Sequence, residues 1–125
     1  MPISPHQLEP LYHLAKEAYF NNMTKLTAAK EISRQGGMAV GTANDLVRNL
    51  KHMLEGQPYK RRLAGVVTEY YLGVIERDFG GTTLAKALAA LWGHIEYYEK
   101  VSKTNSLNDR AIHKRFSGGS DRPAT

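Results

Sequence analysis

The sequence predicts an all-α fold, a compact bundle of five or six short helices. Three observations point to it. Apolar residues return at intervals of three and four along almost the whole chain. No stretch of strand length alternates with period two. Gly-Gly and Asn-Asn pairs interrupt the periodic segments where helices are expected to stop.

The first helix is expected over about residues 5–20. Leu8, Leu11, Leu14 or Ala15, Ala18 and Tyr19 lie at helical spacing, and Asn21-Asn22 breaks the pattern. A short second helix carries Leu26, Ala29 and Ile32, with Thr24 or Thr27 as N-cap and Gly36-Gly37 as its stop. Thr42 is expected to cap the third, with Asp45 near its positive end. Ala43, Leu46, Val47, Leu50, Met53 and Leu54 form its apolar face, and Gly56 ends it. The fourth runs from about Leu63 to Phe79 on Val66, Val67, Tyr70, Tyr71, Val74 and Ile75, and Gly80-Gly81 closes it. Thr82 or Thr83 caps the fifth and longest, built on Leu84, Leu88, Leu91, Trp92, Ile95 and Tyr98. A weaker sixth spans Ser106 to Phe116, with Leu107 and Ile112 inward. One domain is expected over residues 1–116, and the tail SGGSDRPAT over 117–125 has the composition of a flexible linker.

Composition narrows the function classes. With 42% hydrophobic and 23% charged residues the chain can build a core and does not resemble a disordered one. The longest apolar run, Leu84 to Ile95, contains Lys86 and is too short to span a membrane. The N-terminus MPISPHQLEP lacks the basic and apolar regions of a secretory signal. No cysteine is present, which removes disulfides and thiolate metal sites and fits a cytoplasmic location. The five histidines are scattered without a short ligand spacing, so neither metal nor other cofactor is expected.

Net charge is +5, and it is segregated. Residues 1–40 carry +1, 41–65 carry +3, 66–99 carry −3 and 100–125 carry +4. Two basic segments around an acidic one favour an acidic partner such as nucleic acid. The chain has no phosphate-binding glycine motif, and Ser33 and His52 have no third partner in an elbow motif. Carboxylate pairs such as Glu96 with Glu99 are of the kind that solvent normally covers. An enzyme is therefore not expected.

Residues 24–55 have the layout of a helix-turn-helix: a short helix, a glycine turn sealed by Met38 or Val40, and a capped second helix. The polar side of that second helix carries Thr42, Asn44, Arg48 and Lys51. Asn pairs with adenine and Arg with guanine in the major groove, and Arg and Lys bind phosphate. Asp45 on the same helix opposes phosphate unless it is occupied in capping. The segment GQPYKRRL follows. Tyr59 is expected to stack or bond phosphate, and Lys60, Arg61 and Arg62 to clamp the backbone. The pairs Tyr70-Tyr71 and Tyr97-Tyr98 are each expected to send one ring inward and leave one at the rim, with Trp92 in the core.

Gly37-Met38, Met53-Leu54-Glu55-Gly56, Tyr59-Lys60-Arg61, Thr68-Glu69-Tyr70, and Ala87-Leu88 followed by His94-Ile95-Glu96-Tyr97-Tyr98-Glu99 form a set of motifs. Together they resemble the helical N-terminal domain of bacterial HNH-type, McrA-like restriction endonucleases. The likeness covers about residues 8–116. Arg62 departs from it, standing where that family more often has Thr. The resemblance implies a target-recognition module for double-stranded DNA, including DNA with modified bases, joined in a parent chain to a nuclease domain that this sequence does not contain. The alternative is a protein-interaction module or homodimer built on an aromatic patch of Tyr70, Tyr71, Tyr97 and Tyr98.

Overall fold

The structure, a computed structural model, describes residues 5–118. The expected linker beyond Gly118 lies outside them. The described residues form six α-helices and no strand: α1 (Pro5–Tyr19), α2 (Lys25–Gly36), α3 (Val40–Glu55), α4 (Gly65–Phe79), α5 (Gly81–Ser102) and α6 (Leu107–Phe116). None is long and apolar enough to cross a membrane. The chain divides into two units between Lys51 and His52, inside α3.

In the first unit α1 packs along α2. Leu8, Leu11, Tyr12, Ala15 and Ala18 form the buried stripe of α1, so Ala15 rather than the half-buried Leu14 holds the third position. Asn21, with φ 64°, ends α1, while the Asn21 and Asn22 amides donate to the carbonyls of Ala18 and Glu17 at 3.1 and 2.9 Å. Thr24 is the N-cap of α2, its hydroxyl accepting the Thr27 amide at 3.1 Å. Ala28, Ala29 and Ile32 are buried, and two alanines let the facing helix approach closely. Leu26, expected inward, is 58% exposed, because it precedes the buried stripe by only two residues and points away from it.

Gly37 closes α2 in the left-handed conformation (φ 66°), its amide bonded to the Ser33 carbonyl. The Ser33 hydroxyl bonds the Met38 carbonyl across the turn. Met38 seals the turn, its terminal methyl lying against Gly36, while Val40 is exposed. The Ala43 amide bonds Ala39, so α3 begins at Val40. Thr42 is therefore inside the first turn and not the cap, and Asp45 falls beyond that turn.

In the second unit Gly56 (φ 72°) stops α3 in a Schellman turn. The Gly56 amide reaches Met53 and the Gln57 amide reaches His52, at 3.3 and 2.9 Å. Helices α4, α5 and α6 pack on one another. A single residue joins α4 to α5. Gly80 (φ 89°, ψ 179°) gives its amide to Glu76, and its carbonyl accepts the Leu84 amide. That backbone position is open essentially to glycine alone. It also corrects the expected cap, since Thr82 and Thr83 lie within α5.

Helix α6 buries Asp109, Ile112 and His113. Leu107 is 71% exposed rather than inward, because it is the first helical residue and lies off the 109–112–113 face. Glu99 ties the end of α5 to the start of α6. Its carboxylate accepts the Ser106 amide at 2.7 Å and binds the Arg110 guanidinium through both oxygens at 2.7 and 2.6 Å. Arg110 and that amide hold the Glu99 carboxyl down at about 2, from an ordinary 4.5. A depressed carboxyl stabilises the fold above its unfolded pKa, and the gain is lost as pH falls through the folded value. Glu99→Gln should therefore lower the thermal midpoint at pH 7, and the gap from the parent chain should close between about pH 5 and pH 2. A gap that stays constant in scanning calorimetry across that range would contradict this role.

Candidate nucleic-acid interface

The segment between α3 and α4 is a loop whose shape is set by what it buries. Tyr59 and Leu63 are buried, while Lys60, Arg61 and Arg62 between them are exposed. The loop is thus pinned at both ends of its cationic stretch.

Four contacts hold the first pin. Tyr59 lies flat on His94, with ring centroids 4.4 Å apart and planes inclined by 12°. The His94 Nδ1–H donates to the Tyr59 carbonyl at 2.7 Å. One residue earlier, the His52 Nδ1–H donates to the Pro58 carbonyl at 3.0 Å. Finally, Pro58 rests on Gly93, where a Cβ would come within 2.6 Å of the proline ring. Two successive loop carbonyls are therefore held by two histidines, and a glycine in α5 supplies the space.

The cations between the pins meet aromatic faces of α5. Lys60 Nζ lies 5.6 Å from the Tyr97 ring centre, and the Arg62 guanidinium lies 5.4 Å from that of Tyr98. Nearby, Arg110 covers Trp92 at 5.2 Å, but its charge is matched by Glu99. Cation–π contact of this kind orients a long side chain at little cost in charge. A guanidinium stacked on a ring keeps its N–H edge available in its own plane for a phosphate.

Beneath this surface lies a buried polar group that the sequence reading did not single out. His94 and Asp109 are 1% and 3% exposed, with Nε2 and Oδ2 4.0 Å apart. Burial lowers the His94 pKa, against the pull of the Tyr59 carbonyl and Asp109. Burial raises that of Asp109, with His94 and Arg62 opposing. His113 is also buried, its ring 5.2 Å from Trp92, and burial lowers its pKa too. The signal for His94 was present, since it lies three residues after Leu91 on the inward stripe of α5. Asp109 likewise shares the face of Ile112 and His113.

The residues expected to touch DNA divide as follows. Lys60, Arg61 and Arg62 are exposed on the anchored loop. Tyr59 is the correction: its ring is buried against His94 and cannot stack on a base or reach a phosphate. On α3, Arg48 is exposed and Asn44 and Lys51 are half-buried. These three lie at i, i+4 and i+7 and share one stripe. Thr42 is exposed at the helix start, off that stripe, and Asp45 lies beyond the first turn without a capping duty. Asn49 on the same helix is buried.

The tyrosine pairs answer unequally. Tyr71 is buried and Tyr70 half-buried, as one-in, one-rim packing requires. In the second pair Tyr98 is half-buried and Tyr97 exposed, because both carry loop cations. Trp92 is half-buried under Arg110 rather than in the core. The aromatic patch that dimerisation needs therefore loses Tyr71 to the interior. The chain matches no family model, and no curated protein or solved structure is significantly similar to it.

Two predictions test the anchor. The Tyr59 hydroxyl is buried and makes no hydrogen bond in the structure, even though Thr68 is near enough to influence it. Tyr59→Phe should therefore be neutral or slightly stabilising in urea unfolding, whereas Tyr59→Ala should cost about 3–5 kcal/mol. A loss above about 1 kcal/mol for the Phe variant would show a Thr68 bond in solution. Gly93→Ala places a methyl against Pro58. Over-packing costs about 1–3 kcal/mol and helix propensity returns at most about 1 kcal/mol, so a net loss is expected in the same assay.

Proposed function

We propose that this chain is a non-catalytic module that binds double-stranded DNA, the target-recognition part of a restriction or defence nuclease of HNH type. The anchored basic loop is the observation that supports binding. Three consecutive cations, Lys60, Arg61 and Arg62, stand exposed between two buried anchors, and two of them lie over tyrosine faces. Long side chains lose rotamer freedom when they bind phosphate, and stacking them beforehand reduces that loss. The stripe of Asn44, Arg48 and Lys51 on α3, with Thr42 at the helix start, supplies a second set of contacts, with Asn44 as the candidate base reader. Asp45 among those residues makes α3 a poorer phosphate binder than the loop. The nuclease context rests on the family resemblance.

Fluorescence anisotropy with a labelled duplex over a range of salt concentrations tests the reading. Affinity should fall steeply with salt. Changing Lys60, Arg61 and Arg62 together to Gln should lower the log–log slope by about 2–3, at roughly 0.9 per lost phosphate contact, for every duplex tried. Asn44→Ala should instead change the ranking among unmodified, adenine-methylated and cytosine-modified duplexes. Salt-independent binding that survives the triple change would remove the loop from the interface. Light scattering that finds a tight dimer without DNA affinity would favour the protein-interaction alternative.

A further inference from the structure

We infer that His94 and Asp109 hold a single proton between them, and that this proton makes His94 the positioning residue for the basic loop. Its consequence for DNA rests on the binding reading above; the proton itself does not.

Hydrogen-bond roles carry the inference. The Tyr59 carbonyl can only accept, so the His94 Nδ1 that meets it at 2.7 Å must carry hydrogen. In the neutral ring Nε2 is then a bare lone pair. That nitrogen is buried, has no hydrogen-bond partner, and faces Asp109 Oδ2 at 4.0 Å. An ionised carboxylate opposite it would set lone pair against lone pair in a buried place of low dielectric. One proton resolves this, on either atom, as N–H···O or N···H–O. It also lets the gap close toward the roughly 2.7–2.9 Å of a charge-assisted bond.

The surroundings favour the neutral form of both groups. Burial pushes Asp109 up and His94 down, which places the proton on the carboxyl. The charged group facing the pair is Arg62 from the loop, and it opposes that placement. The other titratable groups around it are the Tyr59 ring from the loop and the Tyr98 ring on α5, 4.4 and 6.0 Å from the imidazole. On α4, which packs against α5 and α6, Tyr71 is buried and Glu69 is paired with Arg115. Glu99 on α5 is paired with Arg110 of α6, and His113 of α6 is held at the Leu88 backbone.

The sign of the linkage follows from counting protons. The unfolded chain titrates near the ordinary values of 3.8 for Asp109 and 6.5 for His94. Between these values the unfolded chain binds one proton and so does the folded pair, so their contribution to stability is flat. Where the folded pair still holds its proton after the unfolded chain has lost both, stability falls as pH rises until the pair lets that proton go. Below 3.8 the unfolded chain binds two, and stability falls as pH drops. Release of the proton restores the lone-pair clash beside the bond that holds Tyr59, one residue before Lys60. Loop order and DNA affinity should weaken together.

Nitrogen-15 NMR of the histidine rings in the full chain, without DNA, is the first measurement. His94 should show the Nδ1–H form, with an Nε2 shift that moves in a single step, together with the Asp109 carboxyl, as the pair releases its proton. Asp109→Asn is the second. Its amide donates to Nε2 at every pH, so this variant should keep the fold and lose the decline in thermal midpoint that the parent chain shows across the step seen by NMR. With DNA, parent affinity should fall by up to tenfold per pH unit above the pair's titration, and Asp109→Asn affinity should not. An Nε2–H tautomer of His94, or equal pH slopes for parent and variant, would overturn the inference. The tautomer decides the matter even if Asp109→Asn does not fold. A titrating pair in a chain without DNA affinity would support the shared proton and refute the binding reading.

Discussion

The Tyr59 ring lies flat on the His94 imidazole, and the basic loop depends on that contact. It brings an apolar surface, a hydrogen bond to the loop backbone and a buried titratable group to one place. Without it, Lys60, Arg61 and Arg62 would be three long side chains on an unsupported connection. With it, their backbone is fixed from one side, and Leu63 fixes it from the other. The local composition then makes sense. Pro58 stiffens the approach, Gly93 opens the space it needs, and Gly56 turns the chain out of α3.

Placing cations over tyrosines has an electrostatic consequence. Like charges in sequence repel, and the ring faces of Tyr97 and Tyr98 offset part of that repulsion for Lys60 and Arg62 without neutralising them. Arg110 shows the contrasting use. It too lies over a ring, but Glu99 takes its charge and turns it into a tie between α5 and α6. The same pairing of residue types thus serves an exposed charge in one place and a helix junction in another. What separates them is that Glu99 binds the Arg110 guanidinium through both oxygens.

Much of the helical layout was legible because it rests on local rules. Thr24 caps α2, Gly37 and Gly56 take left-handed turns, and Asn21 ends α1, each from its own backbone chemistry. The misjudged positions share a different cause. Thr42, Thr82 and Thr83 look like caps, but the preceding residues Ala39 and Gly80 already start those helices. Leu26 and Leu107 are apolar but lie at helix starts, outside the buried arc. Each error came from judging a residue by type where its position decided, along the axis for the threonines and around it for the leucines.

Sequence alone determined that this chain is helical, where most helices stop, and that its excess positive charge is concentrated in two segments. These follow from periodicity and local backbone preference, which act over a few residues. Only the tertiary structure decided that Tyr59 faces inward, that Lys60 and Arg62 lie over rings some 37 residues further along the chain, and that His94 meets Asp109. Those outcomes depend on how α5 and α6 pack beside the loop. Burial turns an aromatic from a surface contact into an anchor, and turns a histidine and an aspartate into a site for one proton.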